Sequence, residues 1–216
     1  MSVLVVIPTR DGSPHINAFG SVSQACKVHG DAAFTITKNR HNVCSSRNMG
    51  VASFLGSKAT HLLFVDDDTI IPTDTIQRLL ECKSPVATGC VPTIIDGKPV
   101  LAVARHEDPP NYVWYDQWFD GIRDVPACGG ACMLIDRIVL EKMEFPWFTY
   151  PEFYLGGKYS YYSDDIAFCK RISGDWLIKA HGNVRCRHTK VVDVADFIDQ
   201  KESSFSPLRS RQLQPA

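Results

Sequence analysis

The sequence has no strong excess of charge of either sign. Its 23 basic and 24 acidic residues give a formal net charge of -1 at neutral pH. Tight, non-specific binding to a phosphate backbone needs a basic surface, so this balance argues against that activity as the main one. It leaves open a nucleic acid, or a modified nucleobase within one, as a substrate.

Long apolar runs are also missing. No stretch approaches the roughly 18 consecutive apolar residues that a membrane-spanning helix needs. The opening residues, MSVLVVIPTR, contain a short apolar run without a basic leader before it. We therefore expect a soluble protein with no transmembrane segment, which is not secreted and resides in the cytoplasm.

The eight cysteines lack the spacing of a zinc or redox site, because no two of them form a Cys-x-x-Cys pair. Without a secretion signal, reduced thiols are expected. Cys128 and Cys132 lie in the apolar run ACGGACMLI, where cysteine behaves as a small buried hydrophobe. We predict a packing role for all eight.

The residues that are present suffice for one core, since the chain has 216 residues and a hydrophobic content of 44%. Continuous apolar runs predict buried strands at 3–7, 32–37 and 61–65, and helical spacing predicts a helix between the last two. A short helix at 74–82 and a strand at 85–91 follow. This alternation is typical of a doubly wound sheet that binds ligands at the C-terminal ends of its strands.

The second half of the chain is less regular. Residues 96–124 predict a loop or a β-meander, and residues 147–162 predict a flexible aromatic flap. Between them and after them we predict a strand at 125–135 interrupted by Gly129 and Gly130, a helix capped by Asp136, a helix at 164–172 and short strands at 176–179 and 183–187.

Three consecutive carboxylates, Asp66, Asp67 and Asp68, follow the apolar strand at 61–65. If they are even partly sheltered, their charge requires a cation or strong hydrogen bonds. Oxygen ligands at a strand end suit Mg²⁺ or Mn²⁺, which complete their shell with substrate phosphates. The alternative is a solvated turn, because aspartate is common in loops and at helix caps.

Other polar residues have both a functional and a structural interpretation. His188 ends a strand-like segment and offers a nitrogen ligand, although most histidines are surface or hydrogen-bonded residues. Asp165 is a candidate general base, but acidic residues also favour the first turn of a helix. Arg47 either faces solvent or binds a diphosphate with its guanidinium fork. Gly129 and Gly130 allow close approach to a ligand or form a β-bulge.

The order of these motifs resembles that of the GT-A glycosyltransferases, particularly the small family 2-like enzymes. The motifs extend over roughly residues 3–190 and are VIPTR, SRNMG, FVDDD, GGACMLIDR, PWF, SDDIAFCKR and a late RH. The resemblance implies an α/β GT-A fold with a Rossmann-like, mostly parallel sheet, flanking helices and a small mixed subregion on the acceptor side. It also implies a nucleotide-diphosphate sugar donor, linked to uridine or guanosine.

The resemblance assigns a role to each donor-side motif. It implies that Pro8, Thr9 and Arg10 cradle the base and that Asp66 and Asp67 contact the nucleotide. Arg47 is then expected to bind the diphosphate, and Gly129 and Gly130 to line the sugar. The resemblance further implies that Asp66, Asp68 and His188 hold Mn²⁺ or Mg²⁺. The triple aspartate leaves the register of the metal motif open by one residue.

The resemblance also implies the catalytic residues. Asp165 takes the position of the base that deprotonates the acceptor, which gives single displacement with inversion, although some relatives retain configuration. Asp164 is a shorter replacement for the family's usual glutamate. Trp147 and Phe148 fall where family members bind an acceptor, whose identity the sequence does not give.

The expected organisation is one catalytic domain over residues 1–200, with a nucleotide-binding half at about 1–95 and an acceptor-side half at about 96–200. The composition of residues 201–216 predicts a disordered tail. Two other functions fit the residues. A nucleotidyltransferase also places carboxylates beside a nucleotide, and a carbohydrate-binding module also uses aromatic residues like those of the flap.

Overall fold

A seven-stranded sheet forms the centre of the molecule in a computed structural model that describes residues 1–108, 111–155 and 157–189. Along the chain the elements are β1 (Val3–Thr9), α1 (Ile16–His29), β2 (Ala32–Lys38), α2 (Val43–Leu55), β3 (His61–Val65), β4 (Thr69–Ile70), α3 (Thr75–Glu81), β5 (Val86–Cys90), β6 (Pro92–Ile95), β7 (Lys98–Leu101), β8 (Ala104–Asp108), β9 (Asn111–Trp114), β10 (Ile122–Val125), β11 (Cys132–Asp136), α4 (Arg137–Lys142), β12 (Glu152–Leu155), β13 (Lys158–Tyr161), α5 (Asp164–Ile172), β14 (Ile178–Arg185) and β15 (Arg187–His188).

The strand order of the central sheet is β10-β14-β5-β11-β3-β1-β2. β1 is parallel to both β2 and β3, and β14 is parallel to β5. Because β11 is antiparallel to both β3 and β5, those two strands also share a direction. The expected mostly parallel α/β sheet is therefore confirmed, with β11 and β10 as its two reversed strands.

Two apolar clusters cover the two faces of this sheet. One contains Phe54, Phe64, Phe148 and Phe168, and the other contains Val5, Ile7, Leu63 and Leu79. Side chains alternate along β3, so that Phe64 belongs to the first cluster and Leu63 to the second. The strand is thus buried on both faces, as its unbroken apolar run predicts.

The structure differs from the predicted elements in three main places. α1 was not predicted, because its buried residues are mostly small and give a weak apolar pattern. Residues 125–135 are not one strand: the backbone of Gly129 bonds to Ala102 instead, and β11 starts only at Cys132. The two short strands at 176–187 are one longer strand, β14, followed by β15.

The irregular segments of the second half form short antiparallel hairpins. β6 pairs with β7, β8 with β9 and β12 with β13. The predicted loop or β-meander at 96–124 therefore contains two separate hairpins instead, followed by β10, which pairs with β14 in the central sheet. The predicted tail at 201–216 and the end of the predicted domain at 190–200 lie outside the described residues, and the division into two halves stays a prediction.

All eight cysteines are buried and outside any disulfide. Burial raises the pKa of the Cys26 and Cys82 thiols to about 11 and that of Cys90 to about 12. This agrees with the predicted packing role, because a thiol with a raised pKa is a poor nucleophile and metal ligand. Within the described part of the chain, no helix is long and apolar enough to cross a membrane.

The close approach of β14 to the loop between β9 and β10 gives a test of the fold. A Cβ added at Gly182 would lie 2.2 Å from the carbonyl oxygen of Phe119. We expect Gly182→Ala to lower the free energy of unfolding by about 1–3 kcal/mol, because backbone would have to move. Urea denaturation followed by circular dichroism measures the loss. Gly174→Ala is the control, since a Cβ there meets no atom within 4 Å, and equal losses in both variants would contradict this packing.

Candidate functional site

A cavity of about 450 Å³ opens at the C-terminal edge of the parallel strands. It is lined by residues 8–10 at the end of β1, residues 39–43 at the start of α2 and in the loop before it, residues 66–68 after β3, and His188 in β15. The strands β1, β2 and β3 are neighbours in the sheet, so their ends converge on one place. This is the position at which doubly wound sheets bind ligands.

The turn that carries the three aspartates is held by neighbouring segments. The amide of Asp66 donates to the carbonyl of Ala131 at 3.2 Å, and the carbonyl of Asp67 accepts from the amide of His15 at 2.8 Å. The carbonyl of Asp68 accepts from both the amide and the hydroxyl of Thr189, at 2.9 and 2.7 Å. The backbone of the turn is therefore held at each of the three aspartates.

Asp68 and His188 form a close pair at the rim of the cavity. His188 Nδ1 lies 2.9 Å from the carbonyl oxygen of Pro92, and its Nε2 lies 2.9 Å from Asp68 Oδ2. A carbonyl oxygen only accepts, so Nδ1 carries a proton, and Nε2 of a neutral ring would point a lone pair at a carboxylate. The contact therefore needs a proton between Nε2 and Oδ2, carried by either residue, or a cation near both atoms.

These two residues fit a divalent ion whose remaining ligands come from a substrate and from water. Two ligands at right angles, each about 2.1 Å from an ion, lie about 3 Å apart, which matches the Asp68–His188 spacing. Among the residues described by the structure, no group of three His, Cys, Asp or Glu side chains forms a complete metal site. The remaining ligands would have to be phosphate oxygens and water, as is usual for Mg²⁺.

Behind Asp66 lies a buried arginine. Arg47, in α2, is 3% exposed; its Nη2 donates to Asp66 Oδ1 at 2.8 Å and its Nη1 to Asp164 Oδ2 at 2.7 Å. The expectation for Arg47 was contact with solvent or with a diphosphate. The structure instead places its guanidinium between two carboxylates, one from each acidic motif.

Burial and charge act against each other in this group. Burial raises the pKa values of Asp66 and Asp164, and the nearby Arg47 lowers them, with a net rise for both. Burial alone would lower the pKa of Arg47, but Asp66 and Asp164 overcome that effect and raise it. Arg47 is therefore permanently charged and holds both carboxylates in place.

Asp165 faces the neighbouring loop. Its Oδ2 accepts from the amide of Gly130 at 3.0 Å, and its Oδ1 accepts from the amide of Ile166 at 2.8 Å and from the hydroxyl of Ser163. A Cβ added at Gly130 would lie 2.7 Å from Arg47 Cζ, so a side chain there would displace the guanidinium. The predicted glycine pair thus lies between the two acidic motifs.

The two residues predicted to lie on the acceptor side have different environments. Phe148 is fully buried, stacks on Phe168 with ring centroids 4.8 Å apart, and therefore packs in the core, where its side chain has no exposed surface for an acceptor. Trp147 is half-buried and donates from its ring nitrogen to the carbonyl of Leu140 at 3.0 Å. Its predicted acceptor contact stays a prediction.

Sequence reasoning missed the loop from Asn39 to Asn42, which lines one wall of the cavity. Asn42 caps α2 by accepting from the amide of Ser45 at 2.7 Å, and Asn39 accepts from the amide of His41 at 2.9 Å. The polar run NRHN after a strand is the signal that could have revealed it. Beside it, at the end of β1, Thr9 Oγ1 accepts from the amide of Gly12 at 2.6 Å and orders the loop that follows Pro8 and Arg10.

Comparisons with known proteins show a family and similar folds. A family model described as Fringe-like matches residues 24–202. No curated protein sequence matches the chain. Three solved structures have similar folds. A197 from STIV gives a TM-score of 0.62 at 20% identity, over 88% of this chain and 87% of that one.

The other two structures are longer proteins. GalNAc-T7 with UDP, GalNAc and Mn²⁺ gives a TM-score of 0.56 at 12% identity, over 89% of this chain and 44% of that one. S. aureus TarS 1–349 in complex with UDP-GlcNAc gives 0.56 at 13% identity, over 89% and 60%. The expected GT-A fold is confirmed by these likenesses.

The crowded aspartates make stability depend on pH. Burial, followed by the charges of Asp68 and Asp66, raises the pKa of Asp67 to about 6 from 3.8. A raised folded-state pKa gives stability that is fully present below 3.8 and is lost as the pH rises through about 6. Asp67→Asn removes the ionisation, so the variant should be more stable than the wild type at pH 7.5.

The full shift corresponds to about 3 kcal/mol, which solvent screening of this half-buried group reduces to about 1 kcal/mol. A melting temperature about 2–4 °C higher is expected at pH 7.5, measured in chelator by calorimetry. The difference should vanish near pH 4. A difference that is the same at both pH values would contradict the raised pKa.

Proposed function

The chain belongs to the Fringe-like family, a family of GT-A-type glycosyltransferases, and on that premise we propose that it transfers a sugar from a nucleotide-diphosphate sugar to an acceptor hydroxyl, with a divalent ion. The observation that carries the proposal is the cavity in which the Asp68–His188 pair meets the ends of β1, β2 and β3. A nucleotide needs such a polar cleft, and its diphosphate needs a cation beside the carboxylates.

The cavity supports a division of labour among its walls. Pro8, Thr9 and Arg10 form the wall that would receive the base, and Asp67 lies where it would reach the ribose. Asp68 and His188 would hold Mn²⁺ or Mg²⁺, with Asp66 as the alternative ligand of the motif. Such an ion, when bound, supplies positive charge that stabilises the departing diphosphate.

The chemical step would be a single displacement at the anomeric carbon. Asp165 would take the proton from the acceptor hydroxyl as that oxygen attacks, and the bond to the diphosphate would break with inversion. Three donors fix the orientation of its carboxylate, which is what a general base needs. The Gly130 peptide beside it would line the sugar.

The donor proposed first is uridine-linked. The GalNAc-T7 structure contains UDP and the TarS structure contains UDP-GlcNAc. A guanosine-linked donor is the second choice from the resemblance. The acceptor is not assigned, and a modified nucleobase stays among the candidates. Cytoplasmic residence stays a prediction.

The two competing functions have weaker support. A nucleotidyltransferase would release pyrophosphate from a nucleoside triphosphate, and a binding module would need no base beside the donor cavity. The family match favours sugar transfer, and so does the position of Asp165, which the segment Gly130–Ala131 connects to the aspartate turn.

The donor site is tested by calorimetric titration with UDP and GDP, each with Mn²⁺ and with chelator. We expect one diphosphate to bind only with Mn²⁺, and Asp68→Asn to weaken that binding at least about tenfold, because it removes a charged ligand. Asp31→Asn is the matched control, since Asp31 is exposed and precedes β2 at the opposite edge of the sheet. If neither diphosphate binds under any metal condition, the proposed donor site is wrong.

The base is tested separately from the donor site. Asp165→Asn keeps the size of the side chain and should leave diphosphate affinity within about threefold, while turnover falls about 10²–10⁴-fold. Release of UDP from UDP-GlcNAc in the presence of candidate acceptors measures turnover. Full turnover in this variant would exclude Asp165 as the base.

A further inference from the structure

One buried cation connects the donor cavity with the residue proposed as the base. Arg47 donates to Asp66 on the cavity side and to Asp164 on the other side, and both carboxylates come from chain segments far from α2. Asp164 is 3% exposed, so its carboxylate is directed at the arginine and away from solvent. Asp164 is consequently unable to contact a substrate in this arrangement.

The carboxylate of the next residue, Asp165, contacts a different partner. Asp164 and Asp165 begin α5, and Asp165 bonds to the amide of Gly130 at 3.0 Å. The Gly130 backbone also covers the guanidinium of Arg47, because a Cβ there would lie 2.7 Å from Cζ. The start of α5 is therefore fixed from two sides, by the ion pair of Asp164 and by the peptide of Gly130.

The guanidinium group itself is firmly enclosed. Its Nε is buried without a hydrogen-bond partner among the described residues, and the ring of Phe148 lies 6.0 Å from Cζ. A planar fork with two charged partners has one orientation, unlike the flexible ammonium of a lysine. Removing either partner would leave a buried, unbalanced charge.

We propose that Arg47 and Asp164 are positioning residues: by tying Asp66 to the start of α5, they set the position of Asp165 relative to the donor cavity. This inference rests on the proposed function. It reassigns Asp164 from a catalytic residue, and Arg47 from a diphosphate ligand, to parts of a buried clamp. Asp66 is then held by Arg47, and Asp68 with His188 carries the metal.

The test compares Asp164→Asn with the wild type by two measurements. Amide hydrogen exchange at Gly130, followed by NMR without any donor, reports the bond to Asp165, and we expect exchange to accelerate at least tenfold. The rate of UDP release from UDP-GlcNAc with Mn²⁺ should fall about tenfold to a hundredfold while KM stays within about threefold, because misplacing a base affects the chemical step. Asp74→Asn is the control: it breaks an exposed pair with Arg78, 2.6 Å apart, and should change neither quantity.

Several results would overturn the proposal. Unchanged exchange at Gly130 shows that Asp164 does not position Asp165. A loss of UDP affinity as large as the loss of kcat shows that the clamp shapes the donor cavity instead. If Asp164→Asn does not fold, Arg47→Lys replaces it, because lysine keeps the charge but reaches one carboxylate only. If the wild type releases no UDP, the proposed donor is wrong, and exchange at Gly130 alone decides whether the clamp exists.

Discussion

The placement of one buried positive charge between a buried carboxylate, Asp164, and a partly exposed one, Asp66, governs the arrangement of the site. Arg47 is the partner of both Asp66 and Asp164, and an uncompensated charge at its depth would be strongly unfavourable. The guanidinium therefore has to meet the end of β3 and the start of α5 at once. The absence of a side chain at Gly130 and the packing of Phe148 beside the arginine both follow from the space that this contact requires.

Much of the fold could be predicted because its signals are local. β3 is an unbroken apolar run that ends at three charges, and its predicted bounds, 61–65, are those of the structure. α5 has acidic residues in its first turn and basic residues in its last, and its predicted bounds of 164–172 also agree. The alternation of strands and helices before residue 95 was enough to place the aspartate turn at the C-terminal edge of the parallel strands, where the cavity opens.

The contacts that organise the site could not be predicted in the same way, because they join residues far apart in the sequence. Arg47 is 19 residues from Asp66 and 117 from Asp164. Nothing in the segment SSRNMG distinguishes an arginine that serves two carboxylates from one on a solvated helix face. Phe148 was misplaced for a similar reason, since an aromatic residue in a loop gives no sign of the ring on which it stacks.

The burial of every cysteine has a practical consequence for studying the hairpin formed by β12 and β13. Thiols with pKa values near 11 and little exposed surface react slowly with alkylating reagents at neutral pH. A cysteine introduced at exposed Tyr154 would therefore be the preferred target for a maleimide dye. The native sequence thus permits site-specific fluorescence labelling without first removing its own cysteines, and distances from the hairpin to a labelled nucleotide become measurable in solution.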